Sequence, residues 1–119
     1  MSNSILLVGL GGAGGSIIRY LLQRMLNVSY FPYGTLAVNI SGCLVIGILW
    51  GLLSKNNLTE AASILLMTGF CGGFTTFSAF TFESIQLLIE NKWLLFFTYT
   101  MISVAGGMIA TYLGFKIFS

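Results

Sequence analysis

Four long stretches almost free of charge divide this chain: residues 5–25, 33–53, 61–83 with a tail reaching 89, and 93–115. A helix rises about 1.5 Å per residue, so about 20 residues cross a hydrocarbon core about 30 Å thick. Each stretch meets that length, and only turns remain between them. The expected fold is an all-α membrane protein of four transmembrane helices forming one unit over residues 1–119. Composition agrees, because 7 % of the residues are charged and 56 % hydrophobic, whereas about a quarter are charged in a soluble domain.

The first stretch is expected to remain as a span rather than be cleaved. The chain opens with MSNS, which has no basic n-region, and no small-residue cleavage site followed by a polar mature chain appears. Cys43 and Cys71 both fall inside spans and read as small hydrophobes rather than as a disulfide framework.

Enzyme chemistry finds little to work with. The chain has no histidine and no aspartate, and its three acidic residues, Glu60, Glu83 and Glu90, are separated, leaving no carboxylate pair and no ordinary metal cluster. Gly9-Leu10-Gly11-Gly12-Ala13-Gly14 matches G-x-G-x-x-G, but no acidic residue follows at the dinucleotide spacing and no βαβ unit surrounds it. These glycines read as helix-contact surface. Five unclustered basic residues leave no nucleic-acid footprint.

The charges bear on assembly. With four crossings, the second turn and both termini share one side and carry Lys55 and Lys116. The other side receives Arg24 and Lys92, with Arg19 one turn inside the first helix. The excess of Lys and Arg in short loops sets which side faces the cytoplasm, so this near tie gives insertion almost no preference. Four thin helices are also poorly equipped to enclose a polar path alone. Together these features point to an antiparallel, dual-topology homodimer, against the alternative of a monomer with weakly biased orientation.

Within the third span, Gly72-Gly73 followed by Thr75-Thr76 weakens helix propensity, because glycine loses most backbone entropy and threonine diverts its hydroxyl to carbonyls. A break is expected there. Non-helical backbone deep in a bilayer survives only where protein or a polar cavity satisfies the freed groups, and half-helix ends at that depth make ion sites. Carbonyls from such a break, doubled by a two-fold axis, suit Na+ better than a transition metal.

Phe77 and Phe80 lie three residues apart on one helical face, and Phe74 is expected to extend the row. A phenyl ring carries a positive edge, which meets an anion favourably without a full charge; the plainer use of the same row is helix packing. Asn39 is the strongest polar side chain at mid-depth of the second span. It either donates to a permeating anion or joins two helices. Ser103 and Thr111 are further candidates, with back-bonding as the alternative. Arg19 and Glu83 are the ionisable groups nearest the hydrocarbon, as anchors or as vestibule charges.

The run GGFTTFSAF, residues 72–80, with Asn39 in the preceding span and Arg19 in the first, resembles the Fluc family of fluoride ion channels, also called CrcB or camphor-resistance proteins. The run Gly34-Thr35-Leu36-Ala37-Val38-Asn39-Ile40-Ser41-Gly42 is similar to that family too, and the resemblance covers essentially the whole chain. Ala79 stands where a threonine is often found. The resemblance implies a fluoride-selective channel in the prokaryotic plasma membrane, passive and non-enzymatic, with two pores in an antiparallel homodimer. It implies ring-edge roles for Phe77 and Phe80, a hydrogen bond from Asn39 to fluoride, and a polar track through Ser78, Ser103 and Thr111. Carbonyls of Gly72 and Thr75 would hold a central structural Na+ that is not transported. Arg19 would sit near the vestibule or dimer contact, and Glu83 would stabilise the second half of the broken helix. Two rivals remain: a small proton-coupled multidrug exporter, for which Glu83 is the faint carboxylate candidate, and a noncatalytic membrane scaffold.

Overall fold

The computed structural model describes residues 2–119 as helices joined by short turns, with no strand beyond an isolated bridge between Val28 and Phe31. Helix α1 is Ser2–Leu26, α2 is Tyr33–Ser54, and α3 spans residues 60–74. Helix α4 is Phe77–Ile89 and α5 is Trp93–Phe118. Helices α3 and α4 are the two halves of one hydrophobic segment, Glu60–Ile89, so four segments are long and apolar enough to cross a membrane. Helices α1 and α5 each run three residues further at one end than expected, starting at Ser2 rather than residue 5 and ending at Phe118 rather than residue 115. An apolar run marks only the hydrocarbon-buried part of a helix, whose backbone bonding continues into the polar interface.

The turns show why the helices stop. Asn56 (φ 58°) and Asn91 (φ 60°) take left-handed backbone conformations just beyond α2 and α4, a geometry asparagine tolerates better than most side chains. Asn57 N–H and Lys92 N–H then donate back to the carbonyls of Leu52 (2.9 Å) and Leu87 (2.8 Å), closing the exposed helix ends. Helix α3 begins with a Thr59 cap, whose Oγ1 accepts from Ala62 N–H at 3.1 Å. At the start of α2, Pro32 offers no capping side chain, and Asn27 from the end of α1 serves instead. Its Oδ1 accepts from Gly34 N–H (2.7 Å) and Thr35 N–H (3.1 Å).

Glycine decides the packing. A Cβ at Gly11 would collide with the backbone of Leu65 and Phe70, and one at Gly15 with that of Phe70 and Phe74. Helices α1 and α3 therefore meet backbone to backbone. The same holds for α2 and α5, where a Cβ at Gly47 would meet Thr111, at Gly51 Phe115, and at Gly114 Leu44 and Ile48. Gly9 and Gly14, in contrast, face open space. The bundle thus consists of two tight pairs, and the glycine cluster of α1 serves helix contact at Gly11, Gly12 and Gly15 but not at Gly9 or Gly14.

The expected break is present, and within the stretch from Gly72 to Thr76 it falls on the threonines rather than the glycines. Residues 64–71 wind as a π-helix, Gly72 and Gly73 remain helical, and the chain becomes extended at Thr75 (φ −84°, ψ 156°) and Thr76 (φ −150°, ψ 115°). Thr76 then caps α4, its Oγ1 accepting from Ala79 N–H at 3.1 Å. Gly73 is helical for a packing reason, because a Cβ there would strike Gly12. The interruption also corrects the expected aromatic row: Phe74 lies before the break, buried and stacked on Phe70 at 5.5 Å, apart from Phe77 and Phe80 beyond it.

Candidate permeation site

The extended pair Thr75-Thr76 leaves backbone groups in and just before it with no helical partners, and three side chains take them up. Asn39 on α2 donates from Nδ2 to the Thr76 carbonyl (3.0 Å) and accepts from Thr76 N–H at Oδ1 (2.8 Å). Arg19 on α1 donates from Nε to the Gly73 carbonyl (3.0 Å), where Ser16 Oγ also donates (3.3 Å). A cation against the carbonyl end of α3 is favourable for the helix dipole as well. Arg19 therefore turns inward to the break rather than outward to the headgroups.

Two carbonyls at the break are deprived of their usual donors. In an unbroken helix, Thr76 N–H would reach Gly72 and Ala79 N–H would reach Thr75. The first is taken by Asn39 Oδ1 and the second by Thr76 Oγ1. Space beside Gly72 is open, with nothing within 4 Å of a Cβ built there. This pair of hard oxygen donors fits an alkali cation by chemistry. Among the described residues no group of three or more His, Cys, Asp or Glu side chains forms a metal cluster.

Beside the break runs an open groove of about 600 Å³ between α2, α4 and α5. Asn39, Phe77, Phe80, Ser103 and Thr111 all line it, so five of the candidates spread over three spans converge on one surface. Phe77 is 77 % exposed, a bare ring on the groove wall. Phe80 lies 5.8 Å from Phe77 and 5.3 Å from Tyr99, centroid to centroid. The Ser103 hydroxyl is buried without a partner among the described residues. Asn39 spends one amide hydrogen on Thr76 and keeps the other, so it both joins helices and retains a donor. Thr111 is committed differently, since its hydroxyl donates to the Cys43 carbonyl at 3.1 Å. Ser78 stands outside the groove lining, its Oγ 3.2 Å from Thr76 Oγ1.

The phenyl row leads to Glu83. Its Oε2 accepts from Thr35 Oγ1 (2.9 Å) and Asn27 Nδ2 (3.0 Å), and Oε1 accepts from the Tyr99 hydroxyl (3.1 Å). Thr35 and Tyr99 are fully buried. Glu83 thus ties α4 to the end of α1, the start of α2 and α5, a wider role than supporting its own helix. A smaller cavity of about 280 Å³ adjoins this cluster at the bundle end, lined in part by Asn27, Glu83 and Glu90. Thr35, Tyr99, Asn27 and Gln23 did not emerge as candidates from the sequence. Spacing was the available signal: Thr35 precedes Asn39 by four residues and Tyr99 precedes Ser103 by four, each one helical turn away on the same face.

Comparison with known proteins covers nearly all of this architecture. Residues 6–115 match the family described as CrcB-like protein, Camphor Resistance. The chain is 47 % identical over 114 residues to a protein of Gloeothece citriformis named fluoride-specific ion channel FluC, covering 92 % of each. It is 45 % identical over 115 residues to the protein of that name from Flavobacterium psychrophilum, covering 93 % of each. It is 47 % identical over 118 residues to FluC 2 of Rhodococcus jostii, covering 98 % of this chain and 99 % of the relative. A match of this length, carrying the break, its asparagine clamp and the phenyl row within it, places the chain in the CrcB-like family.

Proposed function

We propose that this chain is a passive, fluoride-selective channel of the cell membrane that releases cytoplasmic fluoride down its electrochemical gradient. The observation that carries the reading is the groove beside the break, where a buried unpartnered hydroxyl, a half-used amide and two phenyl rings converge without any carboxylate or metal cluster. Full-length relatives of similar sequence named as fluoride-specific channels support it. No step calls for a catalytic group.

The groove is open on one side, so a single copy makes half a pathway. A second copy in the opposite orientation closes it, in keeping with the near-balanced loop charges. Fluoride enters from a watery vestibule near Arg19 and gives up part of its hydration to the free hydrogen of Asn39 and the hydroxyl of Ser103. It then passes the ring edges of Phe77 and Phe80, whose positive rims attract an anion weakly enough for it to leave. Ser78 borders this path through its contact with Thr76. Thr111 contributes an oxygen already bonded, and so shapes the wall more than it donates.

A structural Na+ fits the break. The bared carbonyls of Gly72 and Thr75, a pair from each copy, would hold it between the subunits, and its positive charge would offset the carbonyl ends of two half-helices. The chain itself supplies the rest: Asn39 and Arg19 hold the break open whether or not the ion is bound.

Liposomes containing only this chain test the proposal. Fluoride efflux without a proton gradient, far exceeding that of chloride, is the expected result. Export of an organic cation driven by protons would instead favour an exporter using Glu83, and absence of both would leave a scaffold.

A further inference from the structure

The two charges embedded in the spans, Arg19 and Glu83, make no direct ion pair; the one pair within 4.0 Å among the described residues is Lys92 with Glu90. A short chain of neutral groups joins them instead. Arg19 Nη1 donates to Gln23 Oε1 (3.2 Å), Gln23 Nε2 donates to Thr35 Oγ1 (3.0 Å), and Thr35 Oγ1 donates to Glu83 Oε2 (2.9 Å). Its direction is fixed by chemistry. A guanidinium has no acceptor, so the carbonyl end of the Gln23 amide must face Arg19 and the NH2 end must face Thr35. The Thr35 oxygen then receives Gln23 Nε2 and, more weakly, Asn27 Nδ2 at 3.4 Å. With both lone pairs engaged, its one proton has a single outward direction, toward Glu83.

The carbonyl four residues earlier offers no alternative, because Phe31 O already accepts from Val28 N–H and Tyr33 N–H. Gln23 occupies one lone pair of the Thr35 oxygen without touching Glu83, so it acts on the direction of that proton and not on the carboxylate itself. The consequence falls on the anion path, because Phe77, Phe80 and Glu83 follow one another at three-residue spacing on α4, and Phe80 rests on Tyr99, which also binds Glu83. An anion leaving the phenyl row approaches a carboxylate. What covers that carboxylate is its three donors, one of them oriented by Gln23.

We propose that Gln23 is a positioning residue for conduction: its amide relays the direction of Arg19 to the Thr35 hydroxyl and so keeps Glu83 covered and fixed at the end of the aromatic row. This rests on the channel reading above. Gln23 lies one turn after Arg19 and contacts no groove residue, so its effect is exerted through Thr35.

Two substitutions and two readouts test it. Gln23→Met removes both hydrogen bonds at similar volume, while Gln23→Glu keeps the acceptor for Arg19 and loses the donor to Thr35. Both are expected to lower fluoride efflux about tenfold, the scale of one hydrogen bond to a charged group, with elution as an assembled dimer unchanged. Wild-type flux in either variant overturns the proposal. The second readout is independent of transport: the infrared carboxylate band of Glu83, assigned by its loss in Glu83→Gln, is expected to shift in Gln23→Met, and an unmoved band overturns the relay. If the wild-type protein passes no fluoride, the channel reading fails, and the infrared band alone decides the relay.

Discussion

Asn39 and Thr76 exchange two hydrogen bonds, side-chain amide to backbone amide, across the gap between α2 and the interrupted third span. The pairing resembles one rung of a sheet ladder with a side chain in place of one strand. It answers the chief objection to a broken helix in a bilayer, namely that every freed N–H and C=O must find a partner. The same side chain borders the groove, so the residue that makes the break tolerable also supplies it with a donor.

Replacing Asn39 separates these duties. Asn39→Ala leaves the part-buried Thr76 N–H and carbonyl without partners, at a cost of about 1 kcal/mol for each, the low end of the range for buried groups, readable as a lower unfolding temperature in detergent. Asn39→Asp keeps the acceptor for Thr76 N–H but places a carboxylate in the groove. Its fluoride efflux is expected to fall more than its stability, and equal flux to wild type would move the pathway away from α2.

Phe80 is expected to be the more sensitive of the two rings. It sits between Phe77 and Tyr99, and Phe80→Ile removes the ring edge while retaining much of the apolar bulk. Fluoride efflux should be abolished with dimer elution intact; retained efflux would assign the ring to packing.

Glycines of α1 divide into two groups that a stability series distinguishes. Gly11→Ala and Gly15→Ala drive a methyl into the backbone of α3, so loss of folded protein on gel filtration is expected. Gly9→Ala meets nothing within 4 Å and gains helix propensity, by up to about 1 kcal/mol. Equal effects at Gly9 and Gly11 would contradict the packing described here.

Orientation can be tipped deliberately. Combining Asn57→Lys with Lys92→Gln changes the tally from two against two to three against one, leaving Arg19 aside. By the rule for short loops the chain should then insert one way only, and flux should vanish if the working unit is antiparallel. Coexpression with an oppositely biased copy should restore it. Full flux from a single-orientation population would exclude the inverted pair.

Sodium offers a separate handle on the break. Exchanging Na+ for a large organic cation on both sides of the membrane is expected to destabilise the dimer if the Gly72 and Thr75 carbonyls share an ion. Unchanged thermal stability on exchange would remove the ion from the assembly.

Much of this architecture was legible in the residues. Uncharged length located the four spans, and helical spacing put Phe77 and Phe80 on one face. The interruption in the third span was legible in Gly72-Gly73 followed by Thr75-Thr76, and it falls on the two threonines, while the glycines stay helical where Gly73 packs closely on Gly12. Phe74 was misjudged, since a spacing rule cannot cross an interruption. Arg19 and Thr111 were ambiguous because a single polar residue in a span carries no sign of its partner; the partners are a carbonyl 54 residues away for Arg19 and one 68 residues away for Thr111. The relay through Gln23 and Thr35 was legible only as same-face spacing, four residues after Arg19 and four before Asn39, because it is built from three helices whose mutual register no local pattern encodes.

The backbone-to-backbone seams of α1 with α3 and of α2 with α5 have a mechanical meaning. With no side-chain cushion between them, each pair slides or tilts only by forcing main chain against main chain, so the walls beside the groove behave as stiff slabs. A conduit with such walls is suited to standing permanently ajar, and the discrimination it exercises must come from how readily an ion sheds and regains water rather than from any shutter.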